Sequence, residues 1–409
     1  MMKKNDTALV AAVASTAEPI SEAHAERRLD TRSPALDVIR IFACFSVIAI
    51  HFLLNSGFYS IPVVGGRMYG MVFYRALFSC CVPLYMMLSG YLLCNKKLER
   101  KYYGRIWRIL FVYLASSLFC IYGYRFLYQK FCGLLGLAAM EFPPISFWDF
   151  ERKILNYEGS RYAWYIEMYL GLFLLIPFLN LIYHHLPNQK TKQFLILTGF
   201  VLSFLPTLVN SFNLTQPGWW ANPTMRDQNG RFYPFTNLIP DYWRCLYPFT
   251  YYFVGCYLRE YGLKLKLWTN LLLLVCSVAL YGGFILWRCN GQSYIDGTWS
   301  DWNTPFTLAI AVSLFCLFLN RSYRRVPVWM KKLLSRLSEL TLGAYLVSDA
   351  FDRLIYPSLK QRQPIEVLRM DAFVIIVPIV FVCSMFTAWL IQLLYTLLQR
   401  TGRMLHKES

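Results

Sequence analysis

The sequence predicts an all-α, polytopic integral membrane protein with about ten transmembrane helices and both termini in the cytoplasm. Two features of the composition support this. The 409 residues are 56% hydrophobic with a mean hydropathy of +0.37, and only 16% are charged. In addition, apolar runs of about 20 residues recur along the chain, and a run of that length can cross a bilayer as a helix. This composition excludes an ordinary soluble enzyme.

The apolar runs divide the chain into a membrane domain and two tails. Residues 1–33 are rich in alanine and mixed in charge, and their longest apolar patch is too short to span, so a disordered cytoplasmic tail is predicted. Residues 34–397 form the membrane domain, and residues 398–409 form a basic cytoplasmic tail. The predicted spans are about 35–55, 71–94, 106–128, 162–182, 193–212, 242–258, 267–287, 304–320, 337–356 and 371–397.

The distribution of basic residues predicts the orientation. With an inside amino terminus, most of the 41 lysines and arginines fall in inner segments, as the positive-inside rule requires. This bias and attraction to anionic membrane lipid account for the net charge of +18. A nucleic-acid partner is therefore not predicted. A multi-pass protein of the cell membrane is expected.

The 12 cysteines do not indicate a disulfide framework. Most of them fall inside the predicted spans, where cysteine behaves as a small apolar side chain. The sequence contains no CxxC motif and no His/Cys cluster at metal-ligand spacing. We therefore predict neither a metal site nor a redox motif.

The first span carries an arginine and a histidine, Arg40 and His51. Eleven residues complete about three helical turns, so both project from one face about 16 Å apart. Ionisable groups within a membrane span are costly and often functional. The alternative, a snorkelling arginine and a histidine satisfied by a neighbouring helix, is about equally compatible with the spacing.

Other polar groups lie at or within the predicted spans. Arg105 and Arg108, at the start of the third span, are helix neighbours and could grip phosphate oxygens, although simple positive-inside anchoring also explains them. Glu167 in the fourth span is the predicted carboxylate partner of the histidine, with an ion pair to Arg75 as the alternative. Asp352 and its neighbour Arg353 are expected to be an ordinary interfacial pair near the outer boundary.

Several segments in order resemble acyltransferase family 3, a family of integral membrane proteins. The resemblance covers about residues 34–397. The segments are Arg40-x10-His51, Val82-Pro83-Leu84-Tyr85-Met86-Met87-Leu88-Ser89-Gly90-Tyr91-Leu92, Arg105-x-x-Arg108, Trp164-Tyr165 with Leu174-Leu175-Ile176-Pro177, and Thr341-Leu342-Gly343-Ala344-Tyr345-Leu346.

The resemblance implies a ten-helix enzyme that moves an acyl group, commonly acetyl from cytoplasmic acetyl-CoA, to a hydroxyl or amine of an envelope glycan or a related acceptor such as a lipid-linked sugar. It implies that His51 is catalytic, as general base or as nucleophile, and that Arg40, Arg105 and Arg108 handle the acyl-CoA. Many members end the late motif with Tyr-Leu-x-His, whereas this chain has Ser348 at that position. A role for a second histidine therefore cannot be transferred.

Two other function classes remain open at the level of sequence. Intramembrane charges also mark transport paths, so a carrier of a lipid-linked sugar or anionic solute is the main alternative. A membrane scaffold or sensor would not need Arg40 and His51 on one helix face. The expected partners are membrane lipid and the glycan acceptor, and a homo-oligomer is compatible with the sequence. Trp219 and Trp220, in the outer loop 213–241, could stack on a sugar ring or anchor at the interface.

Overall fold

The computed structural model of the protein describes the backbone of residues 33–408 and the side chains of residues 33–401. Apart from Ser33, the predicted tail 1–33 lies outside the described residues. Within the described range no β-strand occurs, and two isolated β-bridges join Pro62 to Ser293 and Arg226 to Phe232. The predicted all-α class is confirmed.

The backbone forms a series of α-helices linked by short turns and a few longer loops. A π-helical turn, Phe119–Gly123, joins the helix Ile106–Leu118 to the helix Tyr124–Leu135. The α-helices are α1 Pro34–Ser56, α2 Gly65–Phe78, α3 Cys81–Leu93, α4 Arg100–Tyr103, α5 Ile106–Leu118, α6 Tyr124–Leu135, α7 Phe147–Leu155, α8 Trp164–His185, α9 Gln189–Ser203, α10 Leu205–Val209, α11 Tyr247–Glu260, α12 Leu267–Cys289, α13 Pro305–Leu319, α14 Val328–Arg362, α15 Glu366–Arg369 and α16 Phe373–Glu408.

Helices cover all the predicted spans, but not all of them have the composition of a membrane span. Among the described residues, eight helical segments are long and apolar enough to cross a membrane. They do not include α11, which has 14 residues, or α14, whose predicted span contains Glu339, Asp349, Asp352 and Arg353. The chain is therefore polytopic, and the count of ten spans is not confirmed.

Helix α1 lies at the centre of the fold. It begins with Pro34 in its first turn and ends at Gly57, whose φ of 99° is the left-handed conformation that terminates many helices. It packs against α2, α3, α13, α14 and α16. Its buried face includes Ile39, Ala43 and Ile48, none of them exposed. A polar side chain on α1 is therefore surrounded by other helices.

Contacts near the helix ends show that the chain alternates direction. The end at which α1 begins is called the inner end here, after its predicted side. There, His184 at the end of α8 lies 2.8 Å from the carbonyl oxygen of Cys94, just after α3. At the outer end, the ring of Phe52 packs edge-on against Phe373 at the start of α16, with centroids 5.2 Å apart.

Helices α3 and α11 cross closely because each has a glycine at the contact. A Cβ atom on Gly90 would overlap the carbonyl oxygen of Tyr252, and one on Gly255 would overlap that of Met87. Small residues at such crossings let backbones approach, which is a common way to pack membrane helices. Gly90 therefore fixes the position of α3, the helix that contains the Val82-to-Leu92 motif.

An arginine anchors the outer loop 213–241 to α12. Arg288 is 1% exposed, and its guanidinium carbon lies 5.0 Å from the ring centroids of Trp219 and Phe235 and 4.1 Å from that of Trp299. Cation–π contacts of this kind are strongest away from water. The loop is therefore held against the helix bundle.

Candidate active site

Helices α1 and α14 pack along each other and meet at two polar points. On α14, Ser338, Tyr345 and Asp352 recur every seven residues, which turns a helix by about 700° and places all three on one face. At the inner point, a guanidinium nitrogen of Arg40 lies 3.4 Å from the hydroxyl of Ser338 and 3.8 Å from the carboxylate of Asp37. At the outer point, His51 faces Asp352.

The imidazole of His51 is buried against a tyrosine and a carboxylate. Its Nδ1 atom lies 3.9 Å from Oδ2 of Asp352, and its ring stacks on Tyr162 with centroids 3.4 Å apart. His51 is 8% exposed and Asp352 is 1% exposed. His51 Nδ1 is without a hydrogen-bond partner among the described residues. Hydrogen bonds between catalytic side chains are often long before substrate binds, so this separation is compatible with a pairing of Nδ1 and Asp352.

Two further side chains fix the carboxylate. The hydroxyl of Tyr162 donates to Oδ2 of Asp352 at 2.6 Å. The amide of Asn55 lies 3.0 Å from that hydroxyl and 3.4 Å from the same carboxylate oxygen, and it also donates to the carbonyl of His51 at 2.8 Å. Asn55 therefore ties one helical turn of α1 to Tyr162 and Asp352. The group forms an ordered dyad of imidazole and carboxylate.

A second carboxylate, Asp349, balances two arginines beside the dyad. It binds Nε of Arg161 at 2.5 Å and a terminal nitrogen of Arg353 at 3.1 Å. Burial opposes the charge of Arg161, but Asp349 outweighs it and raises the pKa of the Arg161 guanidinium. Arg353 also donates to the carbonyl of Cys120, in the π-helical turn, at 2.6 Å. The expected interfacial pair of Asp352 and Arg353 is therefore wrong, because Asp352 faces His51.

His51 opens into a cavity of about 420 Å³, called the His51 cavity. Its wall combines aromatic rings with charged side chains. The rings of Trp164 and Trp302 are nearly parallel, with an interplanar angle of 13° and centroids 6.3 Å apart. The lining includes His51, Arg75, Tyr162, Trp164, Asp296, Ser300, Asp301, Trp302 and Tyr345.

A separate cavity of about 380 Å³, called the Arg108 cavity, lies at the inner end. Arg40 and Arg108 both line it, together with Glu339 and a largely apolar wall that includes Leu88 and Leu92. Arg108 also lies 3.4 Å from the side-chain oxygen of Gln392 on α16. The cavity thus has a polar, mainly cationic rim and an apolar interior.

Tyr345 lines both cavities. Its hydroxyl donates to the carbonyl of Tyr162, and its ring packs edge-on against Tyr165 with centroids 5.9 Å apart. Its ring centroid is 6.3 Å from that of His51. A carbon atom between two rings needs about 3.5–4 Å from each of them, so the space between Tyr345 and His51 is closed to an aliphatic chain.

The structure brings some of the sequence-predicted site residues together and separates others. Arg40 and Arg108 line one cavity and His51 lines the next, whereas Arg105 is exposed and is not part of either lining. Glu167 is exposed on α8 and makes no hydrogen bond or ion pair with His51 among the described residues. The carboxylate beside His51 belongs to Asp352, so the prediction for Glu167 is corrected. The alternative, an ion pair between Glu167 and Arg75, is not formed either. The Arg75 guanidinium instead donates hydrogen bonds to the hydroxyl of Tyr59 and the carbonyl of Ser300.

The loop tryptophans differ from each other in exposure. Trp219 is 1% exposed and packs on Arg288, so it has no free face for a sugar. Trp220 is 54% exposed and stacks on Phe212 and Trp287.

Among the described residues, no group of three or more His, Cys, Asp or Glu side chains is placed to hold a metal ion.

Comparison with known proteins decides the family. The family model described as an acyltransferase domain, that of acyltransferase family 3, matches residues 33–391. The chain belongs to acyltransferase family 3. No curated protein and no solved structure matches it. This acyltransferase is therefore a multi-pass membrane protein whose site residues must be inferred from its own geometry.

Proposed function

We propose that the protein transfers an acetyl group from cytoplasmic acetyl-CoA to a hydroxyl of an envelope glycan or lipid-linked sugar. The observation that carries this proposal is the arrangement of the two cavities on either side of Tyr345. One cavity has the arginines that suit a phosphorylated donor, and the other has the His51–Asp352 dyad. The proposed location is the bacterial cytoplasmic membrane, with the Arg108 cavity facing the CoA pool.

The Arg108 cavity suits the donor in charge and in shape. Arginine binds phosphate through paired, charge-assisted hydrogen bonds, so Arg108 at the rim would hold a phosphate of CoA. The apolar wall would then accommodate the pantetheine arm as it extends towards Tyr345. Arg40 is already close to Asp37 and Ser338, so it is held in place to contact the arm or a phosphate.

The dyad suits the proton transfer that the reaction needs. The acceptor hydroxyl attacks the thioester carbonyl carbon, so that a C–O bond forms and the C–S bond breaks. Nε2 of His51 takes the hydroxyl proton and then gives it to the departing CoA thiolate. Asp352, on the Nδ1 side, would hold the imidazole in the tautomer with Nε2 free and stabilise its protonated form.

The His51 cavity suits a sugar as acceptor. Aromatic rings such as Trp164 and Trp302 pack on the apolar faces of sugar rings, and charged side chains such as Arg75 and Asp301 hydrogen-bond to hydroxyl groups. Both kinds of group lie in the same wall as His51. The acceptor would therefore enter from the outer end and meet the thioester beside His51 once the Tyr345 ring has turned aside, because that ring closes the space in front of His51 in the conformation described above.

The test is acetyl-CoA consumption by the purified protein in detergent, with and without a crude envelope glycan fraction. We expect glycan-dependent release of CoA, its loss in His51→Ala, and full activity in His185→Ala. His185 is an exposed histidine at the inner end of α8 and is the matched control. Uptake of a lipid-linked sugar into vesicles without acetyl transfer would instead support a carrier.

A further inference from the structure

A third cavity, of about 350 Å³, opens at the outer end next to the His51 cavity. It lies between α10, the end of the outer loop 213–241 and the turn Thr298–Ser300. We call it the Arg244 cavity. Its lining includes Phe235, Asp241, Arg244, Asp296 and Trp299.

The Arg244 cavity borders the His51 cavity at Asp296, which lines both of them. The Ser300 hydroxyl donates to the Asp296 carboxylate. Ser300 itself lines the His51 cavity, whereas the preceding residue, Trp299, lines the Arg244 cavity. The two cavities are therefore neighbours, separated by the wall that Asp296, Trp299 and Ser300 form.

The wall of the Arg244 cavity is preformed. Asn210 accepts hydrogen bonds from the backbone amides of Leu238 and Ile239, both at 3.0 Å, which fixes the end of the loop. The ring of Phe235 packs edge-on against Trp299 with centroids 5.2 Å apart, and both rings contact Arg288. The shape of the cavity is therefore set before any ligand arrives.

The lining matches a polyhydroxylated ligand. Arg244 and Asp241 are 31% and 49% exposed, and their side chains are 3.8 Å apart, beyond a hydrogen bond, so both keep donors and acceptors for a ligand. Phe235 is 38% exposed and offers an aromatic surface. Two carboxylates, Asp241 and Asp296, and one guanidinium line the cavity, which disfavours a polyanion such as CoA and suits neutral hydroxyl groups.

We propose that the Arg244 cavity is a second acceptor subsite that binds the sugar unit next to the one acetylated at His51. The acceptor is then an oligosaccharide or polysaccharide, not a single sugar or a small alcohol. This inference rests on the proposed function, because it assumes that the acetylated unit occupies the His51 cavity.

The kinetic test compares a crude envelope polysaccharide with the same fraction hydrolysed by acid to monosaccharides. The wild-type protein should acetylate the polysaccharide with the lower KM. Arg244→Ala should raise the KM for the polysaccharide about tenfold, with kcat and the KM for monosaccharides unchanged. Arg231→Ala is the control, because Arg231 is an exposed arginine of the same loop outside the cavity lining.

A binding test needs no acetyl transfer. Asp241→Cys, on a background in which the exposed Cys245 and Cys276 are replaced by serine, is labelled with a thiol reagent. The polysaccharide should slow this labelling, the monosaccharides should not, and labelling of Arg231→Cys should be unaffected.

The outcomes separate the two proposals. Protection of Asp241→Cys without acetyl transfer retains the subsite as a glycan-binding site and refutes the proposed reaction. Acetyl transfer without protection, or an unchanged KM in Arg244→Ala, overturns the subsite and leaves the reaction standing. The absence of both transfer and protection overturns both.

Discussion

At the scale of single residues, the chemistry of the site depends on which carboxylate faces His51. The sequence offered Glu167 because it lies inside a predicted span, yet a position within a span does not say which way a side chain points. Asp352 faces His51 because α14 packs along α1 and presents one residue in seven to it. Asp352 is buried among His51, Tyr162 and Asn55. We therefore expect it to orient the imidazole, and a substitution that removes its charge tests this role.

We expect Asp352→Asn to lower kcat for acetyl transfer by roughly 10² to 10⁴, since an amide can hold the wrong imidazole tautomer and cannot stabilise the imidazolium. The affinity for acetyl-CoA should not change, because the Arg108 cavity is on the other side of Tyr345. Asp371→Asn, which alters an exposed ion pair with Arg67 at the outer end, is the control. Full kcat in Asp352→Asn would show that the dyad is structural.

The two arginines at the start of α5 should differ in effect. Arg108 lines the Arg108 cavity and Arg105 does not, although the two are three residues apart and both are exposed. Losing a charge-assisted contact costs about 1.5–3 kcal/mol, so Arg108→Ala should raise the Kd for acetyl-CoA about 10-fold to 100-fold. Arg105→Ala should change it little.

Equilibrium binding of acetyl-CoA to the detergent-solubilised variants measures this difference, and Arg108→Lys should restore only part of the affinity because lysine lacks the planar fork. Equal losses of acetyl-CoA affinity in Arg105→Ala and Arg108→Ala would mean that both arginines bind the phosphates, as the sequence predicted. The phosphates would then lie outside the Arg108 cavity.

At the scale of elements, the sequence predicted the first helix well and the partner helix only in part. The spacing of Arg40 and His51 on α1 follows from helical periodicity alone. The seven-residue repeat of Ser338, Tyr345 and Asp352 on α14 was equally visible, but nothing in one sequence says which helix packs against α1. Pairing of distant helices depends on tertiary contacts, so the dyad could not be found from the sequence.

Tyr345 on α14 should limit the reaction of the donor with water. We expect Tyr345→Ala to increase acetyl-CoA hydrolysis severalfold in the absence of glycan, because it removes the ring between the two cavities. Tyr345→Phe keeps the ring and loses only the hydrogen bond to the carbonyl of Tyr162, so its hydrolysis should stay near the wild-type rate. Hydrolysis is measured as free CoA released. Equal rates in both variants would show that the Tyr345 ring does not separate the two cavities.

The crossing of α3 and α11 should be the point most sensitive to added volume. Gly90→Ala places a methyl group on the carbonyl of Tyr252, and overpacking of this kind costs about 1–3 kcal/mol. The melting temperature in detergent should fall, whereas Gly171→Ala on α8 should not lower it, because nothing lies within 4 Å of the added Cβ there. A Gly90→Ala protein as stable as the wild type would mean that the helices separate without cost.

At the scale of the whole molecule, composition was enough to predict a polytopic helical protein, because a bilayer admits few other structures for so apolar a chain. It was not enough to predict the cavities. Tyr345 and Asp296 each lie at a junction between two cavities, and each junction joins residues far apart in sequence. The proposed route of donor and acceptor uses the Arg108 cavity, the dyad and the Arg244 cavity in turn, and it requires that the first and the last of them face opposite sides of the membrane.

The sidedness of the protein is therefore the last prediction. The basic inner segments predict that the Arg108 cavity faces the cytoplasm, where acyl-CoA is made, and that the Arg244 cavity faces the outer side. Gln189 at the start of α9 and Gln228 in the outer loop are both exposed and lie at opposite ends. On a background free of native cysteines, Gln228→Cys should react with an impermeant thiol reagent in intact cells.

Gln189→Cys should react with the same reagent only after the inner face is opened, for example in inverted vesicles. The reverse pattern would place the Arg108 cavity in a compartment without CoA. The arginines could not then bind the donor in the cell, and the path from donor to acceptor would have to be abandoned even if the dyad proved catalytic in detergent.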